Sequence, residues 1–153
     1  MNFTVTQNGK PFTNYNFDED TLTFSTTEDN LVIDFGNESH ITFITGDDCT
    51  FKTGASCTFN TGDNCTFKTG HYCTFNTGDF CTFNTDFDCT FTTGYNCVGI
   101  RYDVRGIIEI PENKTIKYND YEVPGFTYVE PEKKKVTLEL TDEQLEKVKE
   151  MIR

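Results

Sequence analysis

Polar and apolar positions alternate in an eight-residue unit that recurs seven times between residues 45 and 97. The successive units read TGDDCTFK, TGASCTFN, TGDNCTFK, TGHYCTFN, TGDFCTFN, TDFDCTFT and TGYNC, where the pattern stops. Cys and Phe stand two positions apart, so on a β-strand both point to one face while the Thr between them points to the other. Free Cys behaves as a small hydrophobe, and Phe supplies most of the apolar area. A short strand and a turn, repeated at this period, predict an all-β fold, a β-solenoid.

The residues that vary between octads indicate how many octads make one coil. A core filled with Phe needs at least two faces, so a coil contains either two octads or three. Two octads per coil would place similar residues in the same column, on two edges and two faces. The columns are Asp47/Asp63/Asp79 and Ala55/His71/Phe87 on the edges, and Lys52/Lys68 and Asn60/Asn76 on the faces. Three octads per coil would mix these classes. We therefore predict a flattened two-sided solenoid with 16 residues per coil, with sheets about 10 Å apart and coils about 4.8 Å apart.

The glycine in the second place of the octad is expected to form the turn. Gly is the residue that adopts positive φ most readily, so this place is predicted to be left-handed. Asp86 replaces the glycine once. Asp belongs to the few residue types that tolerate the left-handed region, so the same turn is expected there.

The solenoid is predicted to span residues 31–97, after an N-terminal β cap at residues 1–30. In the cap, Asn8-Gly9 is the dipeptide preferred in a two-residue type I′ hairpin turn. Two pairs of residues upstream of the octads are expected to follow the same phase: Ile33/Phe35 and Ile41/Phe43. In each pair the isoleucine is expected at the cysteine position and the phenylalanine at the phenylalanine position.

Residues 98–153 lose the octad phase and are predicted to be a C-terminal cap of short strands followed by a helix over residues 141–152. Thr141 and Gln144 have the spacing of a capping box at the start of that helix. Its apolar stripe consists of Leu145, Val148 and Ile152. A cap is expected because an open solenoid end would expose Phe side chains and strand edges.

The charge of the chain excludes some classes of partner. The 153 residues, enough for one domain, include 25 acids and 13 bases, a net charge of −12, and residues 1–97 hold thirteen acids against three lysines. Such an acidic body does not favour direct binding of nucleic acid or of an anionic membrane, because phosphate contacts need Lys and Arg. No apolar run is long enough to span a membrane, and the N-terminus lacks the pattern of a secretory signal. We therefore expect a cytoplasmic location.

The cysteines are expected to be structural. All seven lie in the octads, and the odd number favours reduced thiols over a disulfide framework. Cysteines that are neighbours in sequence fall on opposite sheets, so they do not converge on a metal ion. His40 and His71 are the only histidines, no cysteine has a basic neighbour, and no Ser–His–acid or phosphate-loop pattern is present. We predict no catalytic residue, no metal, no cofactor and no enzymatic activity.

The column of Asp47, Asp63 and Asp79 is the first candidate binding site. A calcium site and a solvated turn edge are the alternatives for this column. The second is favoured because calcium-binding solenoids of the nonapeptide type have a nine-residue period and more glycine in their turns.

An aromatic edge is the second candidate. It consists of Tyr72 and Phe87, with Tyr95 and Phe80 expected nearby. Aromatic residues at exposed turns are enriched in protein interfaces. These four side chains are therefore predicted to form one contact patch.

The octads, followed by a tail of the type IEIPENKTIKYND…LTDEQLEKVKEMI, resemble short-repeat β-solenoid proteins of tailed bacteriophages and prophages. The resemblance covers about residues 37–153. It implies a phage-related origin and a non-catalytic role, and it supplies no functional residues.

The leading hypothesis is a non-catalytic accessory protein that binds another protein through the solenoid face or edge, in the role of an inhibitor of a host enzyme. Its location would be the cytoplasm of the host cell. One alternative is a structural or self-assembling virion or scaffold protein, a homo-oligomer that associates through the solenoid ends or the C-terminal helix. The others are an acidic mimic of DNA and an oligomer that sequesters a small molecule.

Overall fold

Sixteen short strands and one helix make up the described part of the chain. The structure is a computed structural model that describes residues 1–130 and 137–152. The helix α1 is Asp142–Met151. The strands are β1 (Thr4–Gln7), β2 (Lys10–Pro11), β3 (Asn16–Asp18), β4 (Thr23–Ser25), β5 (Leu31–Asp34), β6 (Thr42–Ile44), β7 (Thr50–Lys52), β8 (Thr58–Asn60), β9 (Thr66–Lys68), β10 (Thr74–Asn76), β11 (Thr82–Thr85), β12 (Thr90–Thr92), β13 (Cys97–Arg101), β14 (Ile107–Ile110), β15 (Thr115–Tyr118) and β16 (Phe126–Tyr128). Among the described residues, no helix has the length and apolar character that a membrane crossing requires.

The strands form two eight-stranded sheets around one core. Sheet A has the order β14-β13-β11-β9-β7-β5-β1-β2, and sheet B has the order β16-β15-β12-β10-β8-β6-β4-β3. The chain alternates between the sheets, and five strands of each run parallel, which gives about five coils. Strand partners in the regular part are 16 residues apart, as Thr50 and Thr66 in sheet A and Thr58 and Thr74 in sheet B. The predicted two-sided solenoid with 16 residues per coil is confirmed.

Two columns of phenylalanine rings fill the core. Along each sheet the rings stack face to face, with centroids 4.9–5.0 Å apart and planes within 7°. Between the sheets the rings meet edge to face, as Phe59 and Phe67 do at 5.0 Å and 74°. Both arrangements are favourable for aromatic rings. The stacked columns are Phe51/Phe67/Phe83 in sheet A and Phe43/Phe59/Phe75/Phe91 in sheet B.

The coil before the octads has a different register from the one expected. Ile33 pairs with Phe51, so it occupies the phenylalanine position and not the cysteine position. The cause is the turn that follows β5, because Leu31 and Ile41 are ten residues apart, whereas successive octad cysteines are eight apart. Ile41 does take the cysteine position, since Phe43 pairs with Phe59 two residues later. Phe35 extends beyond the strand and remains buried at the N-terminal end of the core.

The left-handed residue of each turn is the one before the cysteine position, not the glycine. None of the six octad glycines has positive φ, so that expectation was wrong, and it was equally wrong for Asp86. Asp, Asn and Ser form most of the left-handed column, as their short polar side chains allow. The column contains nine successive turn residues with φ between 54° and 64°: Asn30, His40, Asp48, Ser56, Asn64, Tyr72, Phe80, Asp88 and Asn96.

The N-terminal end of the core is closed by antiparallel strands and aromatic rings. The hairpin turn between β1 and β2 has positive φ at Asn8 (52°) and Gly9 (77°), and the pairing of Gln7 with Lys10 makes it a two-residue turn as predicted. Strand β1 pairs antiparallel with β5, and β3 pairs antiparallel with β4. The ring of Phe3 stacks on Phe35 with centroids 4.2 Å apart, which covers the first coil.

The C-terminal end of the core is closed by an exchange of aromatic residues. Gly99 pairs with Phe83 and so stands where the repeat has Phe. A Cβ at Gly99 would collide with the hydroxyl of Tyr118, which belongs to β15. Tyr118 is buried and its ring lies 4.5 Å from that of Phe91. The missing phenylalanine therefore makes room for the tyrosine of the cap, and the octad phase ends here for that reason.

A buried arginine holds the loop between β15 and β16. Arg101 is 2% exposed and donates hydrogen bonds to both carboxylate oxygens of Asp103 at 3.0 and 2.6 Å, and to the carbonyl oxygens of Asp120 and Val123. Burial opposes ionisation of Asp103, but the hydrogen bonds from Arg101 lower its pKa below the usual value. The pair stabilises the cap above the ordinary aspartate pKa of about 4, and this contribution is lost as the pH falls through the lowered pKa.

The helix α1 has the predicted capping box, with the Thr141 side chain accepting from the Gln144 N–H and the Gln144 side chain accepting from the Thr141 N–H. None of the helix residues is buried, so the helix does not cover the end of the core. Strands β14–β16 cover the last coil instead. The predicted stripe is exposed at Leu145 (40%), Val148 (39%) and Ile152 (79%). Residues 131–136 and 153 of the predicted C-terminal cap lie outside the described part of the chain.

Replacement of one ring in the middle of the stack should destabilise the whole solenoid. We expect Phe67→Ala to lower the free energy of unfolding by about 3–5 kcal/mol, because it removes a fully buried ring and leaves a cavity. Phe67→Leu should cost less, because it keeps most of the apolar volume. The neighbouring outward substitution Thr66→Ala is the control and should change stability by about 0.5 kcal/mol or less. Urea unfolding measures all three, and equal midpoints for Phe67→Ala and Thr66→Ala would contradict the role of the stack.

Candidate functional site

The turns divide into two edges on opposite sides of the solenoid. The acidic edge is defined as the turns that lead from sheet B to sheet A, at residues 26–30, 45–49, 61–65, 77–81 and 93–96. The aromatic edge is defined as the turns that lead from sheet A to sheet B, at residues 35–41, 53–57, 69–73 and 86–89, with the cap residue Tyr121.

The predicted site residues fall on different edges. Asp47, Asp63, Asp79 and Tyr95 lie on the acidic edge, where Tyr95 also contacts Phe80 at 5.1 Å. Tyr72 and Phe87 lie on the aromatic edge, 6.0 Å from each other. The single patch expected from Tyr72, Phe87, Tyr95 and Phe80 is therefore wrong. The four residues alternate between edges because each octad crosses the solenoid once.

The aspartate column on the acidic edge is a ladder of hydrogen bonds between coils. The Oδ1 atom of Asp47 accepts the N–H of Asp63 at 2.8 Å, and Oδ1 of Asp63 accepts the N–H of Asp79 at 2.9 Å. Asp79 accepts the N–H of Tyr95 at 3.0 Å, which ends the ladder. Within the described residues no hydrogen bond is made to the second oxygen of Asp47, Asp63 or Asp79, so Oδ2 is the atom that remains for a partner.

Asp29 belongs to the same ladder and was not predicted. Its Oδ1 accepts the N–H of Asp47 at 2.8 Å. Eighteen residues separate the two, so a strict octad count passes over Asp29. The signal in the sequence is the similarity of Asp29-Asn30-Leu31 to Asp63-Asn64-Cys65, which appears once Leu is allowed at the cysteine position.

The octad glycines on the acidic edge make room for these carboxylates. A Cβ at Gly62 would collide with Oδ1 of Asp47, and Gly78 and Gly94 have the same relation to Asp63 and Asp79. Close approach, and not positive φ, explains the glycine here. On the aromatic edge the coil before Asp86 carries His71 and no aspartate in the corresponding place, which is consistent with the replacement of glycine at this one turn.

The seven cysteines form the second part of the core and are buried, with at most 2% exposure. Their thiols donate to backbone carbonyl oxygens, as Cys65 does to Gly46 of the preceding coil at 3.6 Å. A hydrogen bond with Cys73 and burial raise the pKa of the Cys57 thiol. Among the described residues, no three His, Cys, Asp or Glu side chains form a group that fits a metal ion.

The aromatic edge carries a continuous cluster of four rings, which is defined here as the aromatic cluster: His71, Tyr72, Phe87 and Tyr121. The His71 ring stacks on Phe87 at 5.1 Å, with planes 6° apart. Tyr72 and Tyr121 each meet Phe87 edge to face, at 6.0 and 5.4 Å. Tyr72 is 54% exposed and Tyr121 is 57% exposed. Sequence reasoning missed Tyr121 because its position depends on the fold of the cap and not on the octad period.

Three residues of the left-handed column are aromatic: His40, Tyr72 and Phe80. Tyr72 has a φ of 56° and Phe80 a φ of 57°. A bulky residue in this region is uncommon, and the left-handed conformation costs about 1–2 kcal/mol for most residues. Both rings are about half exposed, Tyr72 at 54% and Phe80 at 49%, so core packing does not explain them. Non-glycine residues held in the left-handed region cluster at active sites and ligand-binding sites.

Comparison of the chain with protein-family models, with curated proteins and with solved structures gave no match.

Loss of the acceptor in the aspartate ladder should be separable from loss of its charge. We expect Asp63→Ala to lower the free energy of unfolding by about 1–3 kcal/mol, because the N–H of Asp79 loses its partner. Asp63→Asn should cost less, because the carboxamide oxygen also accepts a hydrogen bond. Urea unfolding of the two variants measures the difference. Equal losses would show that charge, and not the hydrogen bond, makes the contribution.

The buried thiols should be unreactive in the folded protein. A thiol-specific chromogenic reagent is expected to modify none of the seven cysteines rapidly under native conditions and all seven in denaturant, because each cysteine is at most 2% exposed and the reagent cannot reach its sulfur in the folded protein. The rate should follow unfolding and increase in the Phe67→Ala variant. Rapid modification of one or more cysteines in the stable protein would contradict the assigned core role.

Proposed function

We propose that the chain is a non-catalytic accessory protein of phage type that binds another protein through the aromatic cluster. In this proposal it acts in the cytoplasm of the host cell as an inhibitor of a host enzyme. The observation that carries the proposal is the exposed aromatic residue Tyr72 in a left-handed turn position, where six of the nine residues of the left-handed column are Asp, Asn or Ser.

The repeat supports this proposal because it shows what the fold alone requires. The corresponding place in the turns of the neighbouring coils on the same edge holds Ser56 and Asp88. The place beside it, occupied by Phe87, is Ala55 two coils earlier. The solenoid thus tolerates small and polar residues at both places. Aromatic side chains there add half-exposed apolar area, which is the composition found at the centre of protein interfaces.

Self-assembly is a second candidate, and the distribution of exposed apolar residues favours it. Of the nineteen large hydrophobic residues exposed in the described parts of the chain, thirteen follow residue 97. The ten-residue helix α1 buries none of its residues, although helices of this length are marginal in water without tertiary packing. A contact made by this end of the chain would supply such packing.

Mimicry of DNA by the acidic edge is the weaker alternative. The carboxylates of Asp29, Asp47, Asp63 and Asp79 each direct one oxygen to a backbone N–H. The edge therefore offers one spare oxygen per coil. An interaction of this kind would depend strongly on salt, because it rests on charge pairs at the surface.

The test is a pull-down from bacterial lysate with the tagged chain and three variants, with light scattering of each bait. Tyr72→Asn with Phe87→Ala removes two rings of the aromatic cluster by substitutions that the chain itself uses at equivalent places. Phe80→Asn with Tyr95→Asp is the matched control on the opposite edge. Asp47→Asn with Asp63→Asn and Asp79→Asn removes charge and keeps the hydrogen-bond acceptors.

We expect a partner that stays bound at high salt, is lost with Tyr72→Asn/Phe87→Ala and is retained by the other two variants. The first variant should be as stable as the parent, because Asn accepts the left-handed conformation more readily than Tyr. Two results together would favour mimicry of DNA. Of the three variants, only the aspartate variant would lose the partner, and the parent would lose it only at high salt. No specific capture together with a defined multimer would replace the proposal by self-assembly.

A further inference from the structure

Two lysines stand in register on the outer face of sheet A. Lys52 of β7 pairs with Lys68 of β9, and both side chains are exposed. Their column continues with Asp34 before them and Asn84 after them. The distance between neighbouring strands is about 4.8 Å. Like charges directly opposite on adjacent strands destabilise a sheet.

The fold does not need lysine at these positions. The same place of the octad on sheet B holds Asn60 and Asn76, which also pair in register. Residues 1–97 contain only three lysines, so two of three occur in this one column. Among the described residues, no carboxylate oxygen lies within 4.0 Å of either ammonium group. Asp34 on β5 is the acid next to Lys52 in this column. Its Oδ1 accepts the N–H of Gly36 at 2.8 Å.

A groove of about 240 Å³ runs beside the two lysines, across the coils. One wall is Tyr102, which is 51% exposed and comes from the segment that follows β13. The Tyr102 hydroxyl donates to the carbonyl oxygen of Asn84 at 3.0 Å, which fixes the orientation of the ring. Two charged side chains and an oriented aromatic ring therefore face one groove. The lining residues are Gly36, Asn37, Lys52, Thr53, Lys68, Thr69 and Tyr102.

We propose that this groove binds a small phosphate-bearing molecule. The phosphate group lies between the ammonium groups of Lys52 and Lys68, which supply several charge-assisted hydrogen bonds to its oxygens. The organic part of the molecule lies against the ring of Tyr102. The phosphate relieves the repulsion between the lysines, and the contact with Tyr102 favours a phosphomonoester over inorganic phosphate. The groove lies where the face of sheet A meets the aromatic edge, and none of the four residues of the aromatic cluster lines it.

The experiment is isothermal titration of the full chain with three probes: inorganic phosphate, ribose 5-phosphate and adenosine 5′-monophosphate. The test variant is Lys52→Asn/Lys68→Asn, which copies the residue of sheet B. It should fold with equal or greater stability, because it removes a like-charge pair. Lys10→Asn is the control for loss of a lysine charge away from the groove, since Lys10 lies on β2 at the N-terminal end. Tyr102→Ala tests the aromatic wall.

We expect the wild type to bind at least one of the two phosphomonoesters more tightly than inorganic phosphate, and the affinity to fall with ionic strength. Lys52→Asn/Lys68→Asn should weaken binding by about tenfold or more, Tyr102→Ala should reduce the preference for the ester, and Lys10→Asn should leave affinity within about twofold. Tighter binding of adenosine 5′-monophosphate than of ribose 5-phosphate would indicate a nucleotide, and equal binding would indicate a sugar phosphate.

The proposal is overturned if the wild type shows no saturable binding of any probe up to about 5 mM, which corresponds to a very weak site. It is also overturned if Lys52→Asn/Lys68→Asn binds as the wild type does. Esters that bind no more tightly than inorganic phosphate would overturn the role of Tyr102. The variant Tyr72→Asn/Phe87→Ala should bind phosphomonoesters normally, so that failure of this site and failure of the partner-binding proposal are distinguishable.

Discussion

The stacking of phenylalanine rings at the spacing of the coils is the interaction on which the structure depends. Rings in each sheet are 4.9–5.0 Å apart, close to the separation of hydrogen-bonded strands of about 4.8 Å. One residue per octad therefore satisfies both the backbone ladder and the aromatic contact. This match works only while successive coils have the same length, as the octad coils do. The octad turns are uniform for this reason, with one left-handed residue and, on the acidic edge, one closely packed glycine in each.

The period of the sequence was sufficient to predict the number of sheets, the length of the coil and the residues of the core, because identical residues must recur where identical environments recur. It was not sufficient to assign a reason to each recurring residue. Gly62 recurs because of its contact with Asp47, whereas positive φ falls on Asn64 two places later. A pattern of letters does not separate these two uses of a turn residue. The position of Ile33 was also missed, because an irregular turn shifts the phase without changing the alternation of the strand.

The candidate surfaces occur where the repeat departs from its own regularity. Residues that agree between coils are explained by the core and the ladders. Tyr72, Lys52 and Lys68 are not explained in this way, since the neighbouring coils hold Ser, Asp or Asn at the same places of the same edge or sheet. The sequence alone could name these residues, but it could not distribute them between the edges and faces. That distribution depends on the cap as well, because Tyr121 and Tyr102 reach the aromatic cluster and the groove from segments outside the octads.

The aspartate ladder has a direction. Each member accepts from the next coil, and the sequence of acceptors begins at Asp29 and ends at Tyr95, whose N–H is bound but whose side chain offers no carboxylate to a further coil. The ladder of hydrogen bonds therefore ends at Tyr95 and cannot continue into a further coil. A further chain added end to end would find neither an acceptor in the ladder nor an uncovered phenylalanine, since Tyr118 fills that space. The features that finish the fold therefore also oppose its propagation into a fibre.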